Sequence, residues 1–161
     1  MIKPLFKNVL VMVNGTEASI NAVRYAILMA KLYQSDVRAA YVVDTATIRQ
    51  LSLNRIFVDD ESRDYERSLE QNGQRYLAFV EQLGNEKGVK IETELRRGAI
   101  WSEIVTVAEE RKTDLILLGG TESTQSDKDV LSSTHKSILV NARCSVLVVK
   151  EKTVEQLFKL A

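Results

Sequence analysis

Residues 114–133, reading DLILLGGTESTQSDKDVLSS, carry the pattern most suggestive of chemistry: an apolar run, two glycines, a polar stretch and the start of a new helix. In an α/β fold that order builds an anion-binding corner, because backbone N–H groups and a helix N-terminus converge where the strand ends. Gly119 and Gly120 allow a close backbone approach there, and Ser132, Ser133 and Thr134 stand at the helix start with Lys128 and Lys136 nearby. Such a set of N–H, hydroxyl and ammonium groups can hold a phosphate, and the same hydroxyls can equally cap the helix or accept phosphorylation.

Other reactive chemistry has little support. His135 is the only histidine, no recognisable nucleophile motif places a Ser or Cys beside it, and it reads as a surface or cap residue. Asp59, Asp60 and Glu61 lack the spacing of a calcium loop and read as the charged first turn of a helix. The lone Cys144, which precedes the apolar SVLVV, reads as a buried structural thiol and can form neither an internal disulfide nor a Cys-based metal site. Trp101 reads as packing. With 22 basic against 22 acidic residues there is no electrostatic footprint for nucleic acid. The N-terminal apolar run is too short for a membrane span and lacks a small-residue cleavage site, so it reads as the first strand of a cytoplasmic protein.

The elements that position the corner follow from periodicity. Residues 8–13 (NVLVMV) and 37–43 (VRAAYVV) are near-continuous apolar runs, as in strands covered on both faces. Asn14-Gly15 ends the first, and Thr16 can cap a helix to Tyr33 whose Ala22, Val23, Ala26, Ile27 and Ala30 share one face. Residues 45–57 lack a clear period. From Asp59 to Lys87 a seam of Tyr65, Leu69, Gly73, Tyr76, Val80 and Leu83 predicts a long helix ended by Gly88. The alternation in residues 89–95 (VKIETEL) predicts a half-exposed strand near a sheet edge, and Gly98 precedes another helix. A fourth strand at 115–118, a short helix at 133–141 and a last strand at 144–149 complete the pattern. Five strands alternating with four helices imply a doubly wound α/β domain, its mostly parallel sheet carrying helices on both faces. One domain spans residues 1–150, and 151–161 form a tail with Val154, Leu157 and Phe158 on one helical face.

The segment VLVMVNGTEASINAVRYAILMAKLYQSDVRAAYVVD, with Gly98 before a helix, DLILLG at 114–119 and the closing helix and strand at 138–149, resembles the universal stress protein family over roughly residues 5 to 150. The resemblance implies strand order 3-2-1-4-5, with a ligand crevice at the C-terminal ends of strands one and four. It implies ATP or another adenine nucleotide as the candidate cofactor. Nucleotide-binding members carry Gly, two residues, Gly, nine residues, Gly and then Ser or Thr after strand four. Laid on this chain, that pattern falls on Gly119, Glu122, Ser132 and Ser133. The family's acidic residue after strand one is Asn14, which can accept from a base or ribose or simply stabilise the turn, and Val42 offers apolar contact to a base or ordinary core. Glu122 and Ser132 in place of glycines favour weak or absent nucleotide binding and a non-enzymatic stress-response role through an unidentified protein partner. The alternative is a nucleotide-binding module or slow ATPase. A last strand rich in apolar residues, Val146, Leu147, Val148 and Val149, and the resemblance itself imply a homodimer formed there.

Overall fold

A computed structural model describes residues 4–56, 58–120, 132–150 and 153–161. Among them the order is β1 (Asn8–Val13), α1 (Glu17–Tyr33), β2 (Asp36–Asp44), α2 (Thr45–Leu53), α3 (Asp59–Glu86), β3 (Ile91–Gly98), α4 (Ile100–Glu110), β4 (Leu115–Gly119), α5 (Ser133–Asn141), β5 (Ser145–Val149) and α6 (Val154–Leu160). The strands form one sheet in the order β3-β2-β1-β4-β5, and every pairing is parallel.

Strand periodicity divides the core into two layers. Val9, Val11 and Val13 of β1 point to the face covered by α1, α3 and α6, where Ala26, Ile27, Leu77 and Val80 join them. Leu10 and Met12 point to the other face, with Ala40, Val42, Ile104, Val107, Ile116, Leu118 and Ile138 under α4 and α5. A strand buried on both sides needs apolar residues at consecutive positions, which is why β1 and β4 show no alternation.

The edge strand β3 is built differently. Ile91 is buried in the first layer with Leu95 packed against it, whereas Glu94 and Arg96 turn to the α4 side. There Glu94 joins Arg38 at 3.2 Å, Arg96 at 3.1 Å and Arg111 at 3.1 Å, and Arg96 also meets Glu103 at 3.0 Å and Glu110 at 3.1 Å. An ion network replaces an apolar layer at this edge, and the hydrogen bonds to Glu103 and then Glu110 raise the pKa of the Arg96 guanidinium further.

Four sequence expectations need correction. The aperiodic segment after β2 contains the helix α2, whose cap is Asp44, accepting from the Thr47 N–H at 3.1 Å, and whose only buried residue is Ile48. One buried side chain gives no readable stripe. His135 is not a surface residue: it retains 5 % exposure, on the core face of α5 one turn before Ile138. In the tail, Val154 and Phe158 are buried but Leu157 is 51 % exposed, so the apolar face is narrower than its spacing suggests. Phe158 sits 4.9 Å from Lys87 Nζ, and α6 lies against α1. Trp101 keeps 37 % exposure, so its packing is partial.

Candidate functional site

The corner forms where β1 and β4 end. β1 pairs Val13 with Tyr41 and Val11 with Leu117, and continuing those registers sets Asn14 level with Val42 and Gly120. The strands beside β1 lead into helices on opposite faces, which opens the crevice at this point.

Asn14 begins a tight turn into α1. Its Oδ1 accepts from the Thr16 N–H at 3.1 Å and from the Thr16 hydroxyl at 2.7 Å. Thr16 Oγ1 in turn accepts from the Ser19 N–H at 3.1 Å and caps α1. The buried Ser19 hydroxyl donates to the Thr16 carbonyl at 2.9 Å, and the Asn14 N–H donates to Ser19 Oγ at 3.4 Å. Gly15, at φ 81°, turns the chain in the left-handed region, and a Cβ there would meet the Tyr76 ring at 2.5 Å. Asn14 therefore organises the turn, whatever else it touches.

The two glycines after β4 are occupied structurally. A Cβ on Gly119 would lie 2.4 Å from the Ala18 carbonyl carbon and 2.6 Å from the Ser19 nitrogen, so the missing side chain admits the backbone of α1. The Gly120 N–H donates to the Val149 carbonyl at 2.9 Å, extending the β4–β5 ladder by one bond. Lys150 passes close to Gly120, its Cγ 3.7 Å from where a Cβ would stand, so a basic residue flanks the corner.

At the far wall, Ser132 caps α5 by accepting from the His135 N–H at 3.1 Å. The N–H groups of Ser133 and Thr134 have no acceptor within α5, so the helix presents two donors and the positive end of its dipole. Lys136 is exposed beside them. Among the described residues His135 Nδ1 is buried without a hydrogen-bond partner, and burial pushes the imidazole pKa below its ordinary value. Val42 is 7 % exposed and belongs to the second core layer.

The structure thus brings Asn14, Val42, Gly119 and Gly120 to adjacent strand ends, and places Ser132, Ser133 and Thr134 at the start of α5. Glu122, Lys128 and the remaining residues of 121–131 lie outside the described residues. Sequence reasoning missed Lys150 and Tyr76. Tyr76 was visible only as one member of the α3 seam, and Lys150 follows the last apolar run, where a cation attracts no notice.

A second candidate concavity lies at the opposite end of the sheet. It is lined by Val105, Ala108, Glu109, Lys112, Thr113, Arg143 and Cys144. Its charged rim is partly self-paired, Arg143 meeting Glu109 at 3.4 Å, and burial raises the pKa of the half-buried Cys144 thiol, which disfavours the reactive thiolate. The crevice is the better candidate, because helix dipole, backbone donors and ammonium groups meet there. Among the described residues, no group of three or more His, Cys, Asp or Glu could hold a metal ion, and no helix is long and apolar enough to cross a membrane.

The sequence pattern of the universal stress protein family matches residues 5–150. The universal stress protein MJ0531 of Methanocaldococcus jannaschii is 35 % identical over 147 residues, covering 91 % of this chain and 84 % of that protein. The universal stress protein UspA from Lactobacillus plantarum shares the fold with a TM-score of 0.75 at 22 % identity, over 90 % of this chain and 98 % of its own. A universal stress protein family protein from Arabidopsis thaliana, solved with AMP bound, aligns with a TM-score of 0.63 at 17 % identity, over 92 % of this chain and 94 % of its own. The family match spans both walls of the crevice and all five strands, and the chain belongs to the universal stress protein family.

Proposed function

We propose that this chain is a homodimeric universal-stress-type protein that acts in a stress response through protein contacts, and that its crevice holds an adenine nucleotide weakly. The observation carrying the weak binding is the prior commitment of the two glycines after β4: Gly119 is filled by the α1 backbone, and the Gly120 N–H is spent on Val149. Phosphate contacts then fall to the Ser133 and Thr134 N–H groups, with Lys150 and Lys136 supplying charge. AMP in the Arabidopsis thaliana relative supports an adenine nucleotide as the ligand class. The sequence adds an opposing term at Glu122, since two like charges about 4 Å apart near a protein surface repel by roughly 4 kcal/mol.

The open sheet edge supports homodimer formation. Among the described residues β5 pairs only with β4, leaving the outer backbone edge along Val146, Leu147, Val148 and Val149 open to a second copy. Equilibrium dialysis against labelled AMP tests the ligand, with saturable binding expected at high micromolar concentration or above. Absence of binding at millimolar AMP would remove nucleotide from the account. Sedimentation at micromolar protein tests the assembly, and a monomer there would refute the β5 interface.

A further inference from the structure

The helix α6 lies outside residues 5–150, the span matched by the family pattern, yet it completes the core. Val154 and Phe158 are buried members of the first layer. α6 packs against α1, and the Phe158 ring lies between two cations, the Arg24 guanidinium of α1 at 6.0 Å and Lys87 Nζ at the C-cap of α3 at 4.9 Å. The apolar groove where α1 meets the end of α3 therefore receives one stripe of a short helix through an aromatic anchor.

The occupant is lightly held. α6 has seven residues and no side-chain hydrogen bond at its N-cap, and a helix of that length does not persist in water without tertiary contact. Its docking rests on two buried side chains and on Lys31 Nζ, which donates to the Ala161 backbone oxygen at 3.0 Å. Such a segment opens without unfolding of the domain. Its charges also match the groove poorly. Arg24, Lys31 and Lys87 rim the site, whereas the one acidic side chain of α6, Glu155, meets Lys159 of the same helix at 3.9 Å. Lys159 itself adds a further cation next to Phe158.

We propose that α6 is an autoinhibitory plug, and that the groove beneath it, between α1 and the end of α3, is where this chain takes a partner protein. The partner it fits is an acidic amphipathic helix that inserts an aromatic anchor where Phe158 now sits. The inference rests on the reading of this chain as one that acts through protein contacts, and it names the surface and the class of partner. An incoming helix with carboxylates beside its anchor gains the attraction of three cations that, among the described residues, no carboxylate of α6 meets.

Fluorescence anisotropy tests it, with a labelled peptide that copies residues 153–161 and carries Lys159→Glu, titrated with full-length protein. The parent, its groove filled by its own α6, is expected to bind about ten-fold or more weakly than Phe158→Ala, whose plug has lost its anchor. Adding Lys87→Glu to Phe158→Ala is expected to reverse that gain, because one attractive charge becomes repulsive. Equal binding by the parent and Phe158→Ala, or binding by neither, would overturn the proposal. Amide exchange on the parent needs no variant: Leu157 and Ala161, whose N–H groups donate within α6, are expected to exchange well ahead of the buried turns of α1. Exchange of the two helices in step would overturn the plug. A parent dimer that dissociates on Phe158→Ala would make a second copy's α6 the occupant and overturn it also. Failure of the peptide to bind leaves protein contact through another surface standing, whereas submicromolar ATP binding by the parent would overturn the protein-contact reading itself.

Discussion

Gly119→Ala is the perturbation that most sharply separates packing from phosphate binding at the corner. The added methyl would meet backbone, Ala18 C at 2.4 Å, Ala18 O at 2.5 Å and Ser19 N at 2.6 Å, so no rotamer change relieves it. Either β4 or the first turn of α1 must move. Overpacking of this kind costs about 1–3 kcal/mol, and displacement of the Thr16 cap adds about 1 kcal/mol. The expected loss is roughly 2–4 kcal/mol, or a fall in Tm of roughly 5–15 °C for a domain of this size. Thermal unfolding followed by circular dichroism, without ligand, provides the measurement. Gly120→Ala is the internal control, because its Cβ would meet the nearest atom, Val149 O, at 3.1 Å, and a shift of a few tenths of an ångström accommodates it. A Gly119→Ala variant that melts within about 2 °C of the parent would show that α1 does not require the glycine, and its conservation of space would then have to be explained by a ligand.

Two further outcomes follow from charge. Glu94 carries 12 % side-chain exposure and serves three arginines, so Glu94→Gln is expected to lower stability by about 1–3 kcal/mol, less than a fully buried pair because Arg111 is half exposed. Denaturant titrations at low salt and at about 1 M salt check this, with the deficit shrinking in salt and an unchanged midpoint contradicting the network's role. For His135 the folded pKa lies below the unfolded one, so the unfolded chain takes the proton first. Stability is complete above the unfolded value of about 6.5 and declines as pH falls from there toward the folded pKa, by at most about 1.4 kcal/mol per pH unit. His135→Gln is expected to flatten the part of the stability profile just below about pH 6.5 that belongs to this group, and parallel profiles for the two proteins would contradict a buried neutral imidazole.

The sheet was legible because its central strands are short apolar runs between turn residues, and α1 and α3 because their buried positions recur at helical spacing. α2 escaped notice, since a helix with only Ile48 buried leaves no stripe. The error at His135 had a remedy in the sequence: flanking hydroxyls and Lys136 suggested a surface, yet His135 precedes Ile138 by three residues and so shares its face. At the candidate site, residue types were readable and their obligations were not. Gly119 presents the same letter whether it faces a phosphate or the backbone of α1, and only tertiary contact tells the two apart. The turn role of Asn14 depends likewise on three hydrogen bonds closed through Thr16 and Ser19.

The central claim, a nucleotide crevice weakened by its own residues, is met most directly by calorimetric titration of ATP into the parent protein and into the double variant Glu122→Gly, Ser132→Gly. The account predicts a parent Kd of about 0.1 mM or weaker, no more than about 5.5 kcal/mol of binding free energy, and a gain of ten-fold or more in the variant, about 1.4 kcal/mol. Submicromolar binding by the parent, or a variant that binds no better, would contradict it.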